Sequence, residues 1–583
     1  MQWLDRYASD FHKWRSADHG GRVVHYRPLG VIESSFDADG LYYEGRADIK
    51  LGLSFEIKTN ESKMQLRERI ILAITCLRLH HTMLATKADR FDSSYMDSAA
   101  YTRWDRYFLI DQPTDPQDAL RSAEAITTFV ADHYPTIDPD KLHNHARNSS
   151  RVVTPDISLT RLLVLPMTKT TSSTHSLRFI FVMAHQIADG LTTRTWQTHF
   201  LDLLNTPLVD LRSSIPSLIQ SLPTRLIPPQ EALYPHIPGS KARQRWFWAI
   251  TLALRHVRRP PPDSFPNPLY RTTPAPATLP SDYTFSSILP YTRPPSLSAG
   301  EISASIPPSL AAKLHTLCRS ASSSVGAGLF VLIALSMMDI HSHRFPSHPP
   351  QPFVGSFPIN PRPLLPRPQE AESCMLAFSS GVTLPYLPPS LPLAGRIKLL
   401  VRAAQRQLSR YQKRPPAPLE AQTQRERDIA LYGPNGPKRV LMLNYLDALE
   451  RVDAKLPPEY RLGLRPGGEE LAPKYGTLAT CGVSSVGRAD GSLFVGKYDL
   501  GPPLKEGEGS RVDFRGSSAS VRPREGEFLV GISGTTEGGI GINVSYDACA
   551  VDEVWAERWK ERVEGMLGEV VIEEKGEDGR ARL

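Results

Sequence analysis

The chain has 583 residues, 40% of them hydrophobic and 22% charged, with a formal net charge of +7 at neutral pH. That length gives room for roughly two to four domains around a sizeable core. So modest a charge excess is no footprint for nucleic acid, although it suits an anionic substrate. The five cysteines, Cys76, Cys318, Cys374, Cys481 and Cys549, lie far apart and form no Cys-x-x-Cys pair. This argues against a metal site or a disulfide framework and for a reducing, cytoplasmic setting.

The first residues, Met1 to Arg6, lack the basic and apolar regions of a secretory leader. From 46 to 58 the chain alternates. Ile49, Leu51, Leu53, Phe55 and Ile57 share one side, and Arg46, Asp48, Lys50, Ser54 and Glu56 the other, as in a half-buried strand. After Ser62 the period lengthens, and Leu66, Ile70, Ile74 and Leu77 mark an amphipathic helix. Strands are expected at 161–167 and 177–184, joined by the polar turn 168–174. The second strand runs into His185-Gln186-Ile187-Ala188-Asp189-Gly190. A helix then resumes with Trp196, Phe200 and Leu204 on one face.

The segment 243–259 sets aromatic and aliphatic residues among arginines. It reads as a helix packed between two halves of the chain, with an interfacial helix on an anionic membrane as the alternative. Prolines recur every few residues from 260 to 295, which excludes a long helix or a central strand there. Beyond this crossover, 308–338 reads as mostly helix, 353–360 and 375–384 as extended, and 396–414 as an amphipathic helix. The basic residues of that last helix, Arg396 among them, read as a solvated face, with CoA phosphates as the alternative partner. A strand at 540–546 and a helix at 554–566 close the chain. Mixed elements in both halves imply an α/β (α+β) protein of two lobes. The expected division is a first lobe at 1–215, a Pro-rich crossover at 216–300 and a second lobe at 301–583.

A His-x-x-x-Asp pair is weak on spacing alone, and a satisfied loop histidine explains it as well. Its context adds weight. An imidazole exposed in a turn between a core strand and a helix suits general-base work, because His titrates near neutral pH. Asp189 can lock the turn or the ring, and Gly190 permits a backbone angle closed to other residues. No Gly-x-Ser-x-Gly elbow or zincin motif occurs in the sequence.

On His185, Asp189 and Gly190 the chain resembles the chloramphenicol-acetyltransferase-like superfamily, which includes condensation domains and fungal O-acetyltransferases. Softer matches are Leu77 to Leu84, Phe357 to Arg362, Val483 to Gly487, and the closing strand and helix. Cys374 to Ser379 and Arg410 to Arg414 are similar to fungal acetyltransferases of the trichothecene 15-O-acetyltransferase type. The Asp-Phe-Gly-Trp-Gly motif of the superfamily's plant BAHD acyltransferases is absent.

The resemblance implies a two-lobed fold with His185 in a tunnel, acyl-CoA (acetyl-CoA) as co-substrate, no bound cofactor and a small-molecule alcohol as acceptor. It implies a monomer. Asp189 would be an orienting residue paired with Arg362, with Gly190 and Asn360 in support. Arg362 otherwise reads as a solvated loop arginine. Ser484 and Ser485 are oxyanion candidates or ordinary turn serines. The rival readings are a stand-alone condensation-type domain fed by a carrier-protein thioester, and a non-catalytic scaffold.

Overall fold

The computed structural model describes residues 6–96, 105–237, 239–257, 263–367, 369–379, 381–409, 411, 437–461, 479–487, 492–535 and 537–570. Two six-stranded sheets organise it. In the first, the strands run Ser510–Val521, Ile49–Thr59, His175–Met183, Thr160–Val164 and Thr127–Phe129, with Thr168–Lys169 on an edge. In the second, they run Ala299–Ile306, Ile540–Asp547, Phe528–Gly534, Cys481–Gly487, Phe353–Ser356 and Val382–Leu384. The second sheet is mixed: Cys481–Gly487 lies parallel to both its neighbours, and the other pairs are antiparallel. The fold is α/β, as the element pattern implies.

The expected elements form for local reasons. Ser62 caps the Lys63–His80 helix: the Gln65 N–H donates to Ser62 Oγ (3.3 Å), and the Ser62 N–H donates to Gln65 Oε1 (2.9 Å). Leu66, Ile70, Ile74 and Leu77 from this helix join Leu51, Leu53, Phe55, Phe179 and Phe200 in the first-lobe core. The apolar stretch near 325–338 belongs to the helix Val325–Arg344. That helix is long and apolar enough to cross a membrane, but 78% of its most apolar window is buried within the second-lobe core.

The mostly helical stretch 308–338 consists of two helices, Pro308–Ser320 and Val325–Arg344, broken where Ser322 takes a positive φ of 53°. Other expectations are corrected. The 396–414 helix spans Leu393–Leu408, and 410 and 412–414 lie outside the described residues. Its Arg396 is buried rather than solvated, donating to Asp339 Oδ1 (2.7 Å) and to the Leu387 carbonyl (2.8 Å). Lys50, placed by alternation on the solvent side, is also buried. The Ile49–Thr59 strand lies between two others, and the helix Pro139–Asn148 brings His143 within 3.3 Å of Ser520 Oγ, whose partner in register is Lys50.

The two halves interlock. Ser510–Val521, from the C-terminal part of the sequence, forms one edge of the first-lobe sheet against Ile49–Thr59. A separate apolar cluster joins Val31 and Phe36 of the helix Val31–Tyr42 to Trp248, Cys374, Met375 and Tyr445. Of the expected crossover 216–300, residues 263–298 hold no helix and no strand beyond an isolated bridge at Tyr270, whereas Lys241–Val257 is a helix.

Candidate active site

The site is built around the end of the His175–Met183 strand. After Met183 the chain makes a tight turn, in which the Ile187 N–H donates to the Ala184 carbonyl at 3.2 Å. Asp189 then caps the helix Gly190–Leu204, its Oδ1 accepting from the N–H groups of Leu191 and Thr192, each at 3.0 Å. An aspartate here suits the positive end of the helix as well as its unpaired donors. Gln186, Ile187, Ala188 and Asp189 are all buried. The turn is therefore packed beneath the second lobe, not presented at an open sheet edge as its polar residues suggest.

Asp189 Oδ2 faces that lobe. It accepts from Arg362 Nη2 at 2.8 Å and from the Met375 N–H at 2.9 Å. Arg362 also donates to the carbonyls of Ser373 (2.6 Å) and Glu370 (3.3 Å), and its own N–H donates to Asn360 Oδ1 at 3.1 Å. The Thr192 hydroxyl lies within 3.1 Å of Asp189 Oδ1, and donates to the Ser373 carbonyl at 2.8 Å. Both side chains of the ion pair are nearly inaccessible, at 6% and 4% exposure. The His turn and the 370–375 segment are thus fastened at one buried point.

Gly190 lies close to Val486 of the strand Cys481–Gly487. A Cβ on Gly190 would stand 2.8 Å from Val486 Cγ1. Gly190 is not among the glycines with positive φ, so it is needed for that approach and not for an unusual backbone angle.

His185 is held on several sides. The Phe36 ring stacks on the imidazole, with centroids 4.1 Å apart and planes 3° from parallel. Cys374 Sγ lies 3.9 Å from Nδ1. Burial lowers the His185 pKa from its ordinary value, opposed by a ring hydrogen bond with its own backbone and by Asp189. A lowered pKa keeps the ring neutral at pH 7. The tautomer with Nδ1–H directed at the residue's own carbonyl would leave the Nε2 lone pair as the basic one. Burial also pushes the Cys374 thiol well above its ordinary pKa, so it stays protonated and is no rival nucleophile.

Behind Phe36 lies a charged group around the buried Asp39. Arg524 and Lys455 each lie 5.9 Å from the Phe36 ring centroid, and both reach Asp39, at 2.8 and 2.6 Å. Burial pushes the Lys455 pKa down to about 7 against the pull of Asp39. Burial would raise the Asp39 carboxyl, but Arg524 and Lys455 hold it at about 2.

Ser484 is half-buried in the sheet opposite Gly531, and Ser485 Oγ accepts from the Gly487 N–H at 3.3 Å. Neither makes a hydrogen bond to His185, Asp189 or Arg362. Sequence patterns missed Phe36, Cys374 as a neighbour of His185, and Thr192, since no spacing rule marks a ring or a hydroxyl that arrives from elsewhere in the chain.

A cleft of about 1040 Å³ opens on the far side of the Gly190–Leu204 helix, walled by Arg194, Thr195, His199, Asn360, Arg362 and Glu370 among others; His185 does not line it. At its edge His81 pairs with Glu372 through Nδ1, and its Nε2 lies 2.9 Å from His199 Nδ1. Among the described residues no cluster of His, Cys, Asp and Glu is arranged to hold a metal ion.

The fold of this chain is similar to that of a solved acetyltransferase structure. It aligns with the solved structure of TRI3 trichothecene 15-O-acetyltransferase from Fusarium sporotrichioides with a TM-score of 0.61, over 96% of this chain and 99% of that one, at 12% sequence identity. The first condensation domain of the calcium-dependent antibiotic synthetase also aligns, over 95% and 97% of the two chains, at 11% identity and a TM-score of 0.47. The condensation domain of the Monacolin K polyketide synthase MokA covers the same shares, at 11% identity and 0.46. No family model and no curated protein sequence matches the chain.

Proposed function

We propose that the protein is an acyl-CoA-dependent O-acyltransferase that moves an acetyl group to a hydroxyl of a small secondary metabolite. The observation that carries this reading is a neutral, half-buried His185 whose turn is braced across the lobes by Asp189 and Arg362. In this reading Nε2 takes the proton of the acceptor hydroxyl as its oxygen attacks the thioester carbonyl carbon. The tetrahedral intermediate collapses with cleavage of the C–S bond, and the protonated ring returns the proton to the departing thiolate. A positioned base of this kind contributes about 10²–10⁴-fold, and holding both substrates in one site adds proximity. Asp189 touches neither substrate and acts by holding the turn.

The likeness to an O-acetyltransferase structure supports the fold on which the reading rests. Five free cysteines suit the cytoplasm as its compartment, and a monomer is its expected state. The test is incubation with radiolabelled acetyl-CoA and a metabolite extract. Label should pass to a small-molecule product with the native chain, and His185→Ala should lose nearly all transfer while keeping its circular dichroism. An alanine variant that keeps most of its activity removes the mechanism. Transfer that occurs only from an acyl carrier protein would favour the condensation-type reading.

A further inference from the structure

The helix Lys241–Val257 leaves one face uncovered. Its inner side is anchored: Trp248 is 2% exposed and packs edge-on against Tyr7 at a centroid distance of 5.2 Å, in the cluster that joins the lobes. Gln244 ties the start of the helix by donating to the Ile237 carbonyl at 3.1 Å. The outer side carries Ala242, Trp246, Ala249, Ile250 and Ala253, all exposed, at spacings of three and four that place them in one stripe. Trp246 is 68% exposed and Ile250 42%. Arg243 and Arg245 are exposed on opposite flanks of this stripe, and Lys241 stands exposed at its start. Among the described residues no carboxylate pairs with any of the three.

We propose that this face docks the enzyme on an anionic lipid bilayer surface. The stripe is shallow, with alanines around one tryptophan and one isoleucine. It offers five residues, against the roughly 20–30 a side that a stable protein interface uses. A bilayer asks for less: a rigid helix lying in its plane, an indole at headgroup depth and cations beside it. The chain supplies each of these, and Trp248 holds the helix so that the stripe faces outward. Docking here is independent of the acyl-transfer reading.

The test is co-sedimentation of the full chain with extruded vesicles of phosphatidylcholine alone or with a third of phosphatidylserine. Binding is expected to the mixed vesicles, to weaken with added salt, and to be far weaker on phosphatidylcholine alone. Trp246→Ser should weaken it about tenfold by removing apolar area. Arg243→Gln with Arg245→Gln should weaken it about 25-fold, at about fivefold for each cation near an anionic surface. Absence of binding by the native chain would overturn the proposal. So would binding that both variants retain, or a dimer seen by light scattering that Trp246→Ser splits, which would make the stripe a protein interface.

Discussion

Removing one partner of the Asp189–Arg362 pair should destabilise the protein unequally, and the structure sets the order. Breaking a buried ion pair by deleting one member costs about 3–5 kcal/mol, because the survivor is left as an uncompensated charge. In Arg362→Ala the surviving carboxylate keeps the N–H groups of Leu191, Thr192 and Met375. Its loss should therefore lie near 3 kcal/mol. In Asp189→Ala the guanidinium keeps only uncharged acceptors, the carbonyls of Glu370 and Ser373 and the oxygens of Thr192 and Asn360. The helix also loses its cap, worth about 1–2 kcal/mol. Asp189→Ala should thus be the worse variant by about that margin or more. The double variant should fall short of the sum, with a coupling energy of roughly 2 kcal/mol, as directly contacting groups do. Urea unfolding with a shared slope measures all four proteins. An Arg362→Ala protein as stable as wild type, or a coupling below about 0.5 kcal/mol, refutes the reasoning.

Three further outcomes follow from the geometry. Gly190→Ala should cost about 1–3 kcal/mol through its contact with Val486, and Val486→Ala in the same chain should recover most of it; a harmless Gly190→Ala removes the close-approach argument. Phe36→Ala uncovers the imidazole, so modification of His185 by diethyl pyrocarbonate, followed by mass spectrometry, should become much faster and the His185 pKa should rise toward its ordinary value; an unchanged rate would show that Phe36 does not shield the ring. Burial lowers the pKa of His143 to about 3 and of His199 to about 4, while unfolded histidine titrates near 6.5. The unfolded chain then binds more protons below that value, so stability should be complete above about pH 6.5 and fall as the pH drops toward 4. The urea midpoint at pH 5.5 should lie below that at pH 7, and equal midpoints would contradict those burial effects.

What the sequence disclosed was local, because periodicity is a local property. The Lys63–His80 helix and the His175–Met183 strand followed from spacing within a dozen residues. So did the motif between a core strand and a helix. The errors share one origin, contact with chain far away in sequence. Lys50 sits on the polar side of a clean alternation, yet Ser510–Val521 and the helix that carries His143 enclose it. Arg396 lies off an apolar stripe, yet Asp339 receives it inside the second lobe.

The His turn shows the same limit more sharply, and it shows why the function reading turns on tertiary contacts. Six consecutive residues carry the pattern, but what makes His185 a usable base arrives from elsewhere. Phe36 comes from 149 positions earlier and supplies apolar cover to one ring face. Arg362 comes from 173 positions beyond Asp189 and fixes the cap of the following helix. Cys374 approaches Nδ1 from 189 positions later. Each acts on a different property: the proton affinity of the ring, the rigidity of its turn, and the surroundings of the nitrogen that is not the base. A chain with the same six residues and an open turn would hold an ordinary solvated histidine with a pKa near 6.5. The chemistry therefore depends on the closure of the two lobes on each other. Substitutions that loosen this closure far from His185, as Arg362→Ala would, should lower the rate of transfer without touching either substrate.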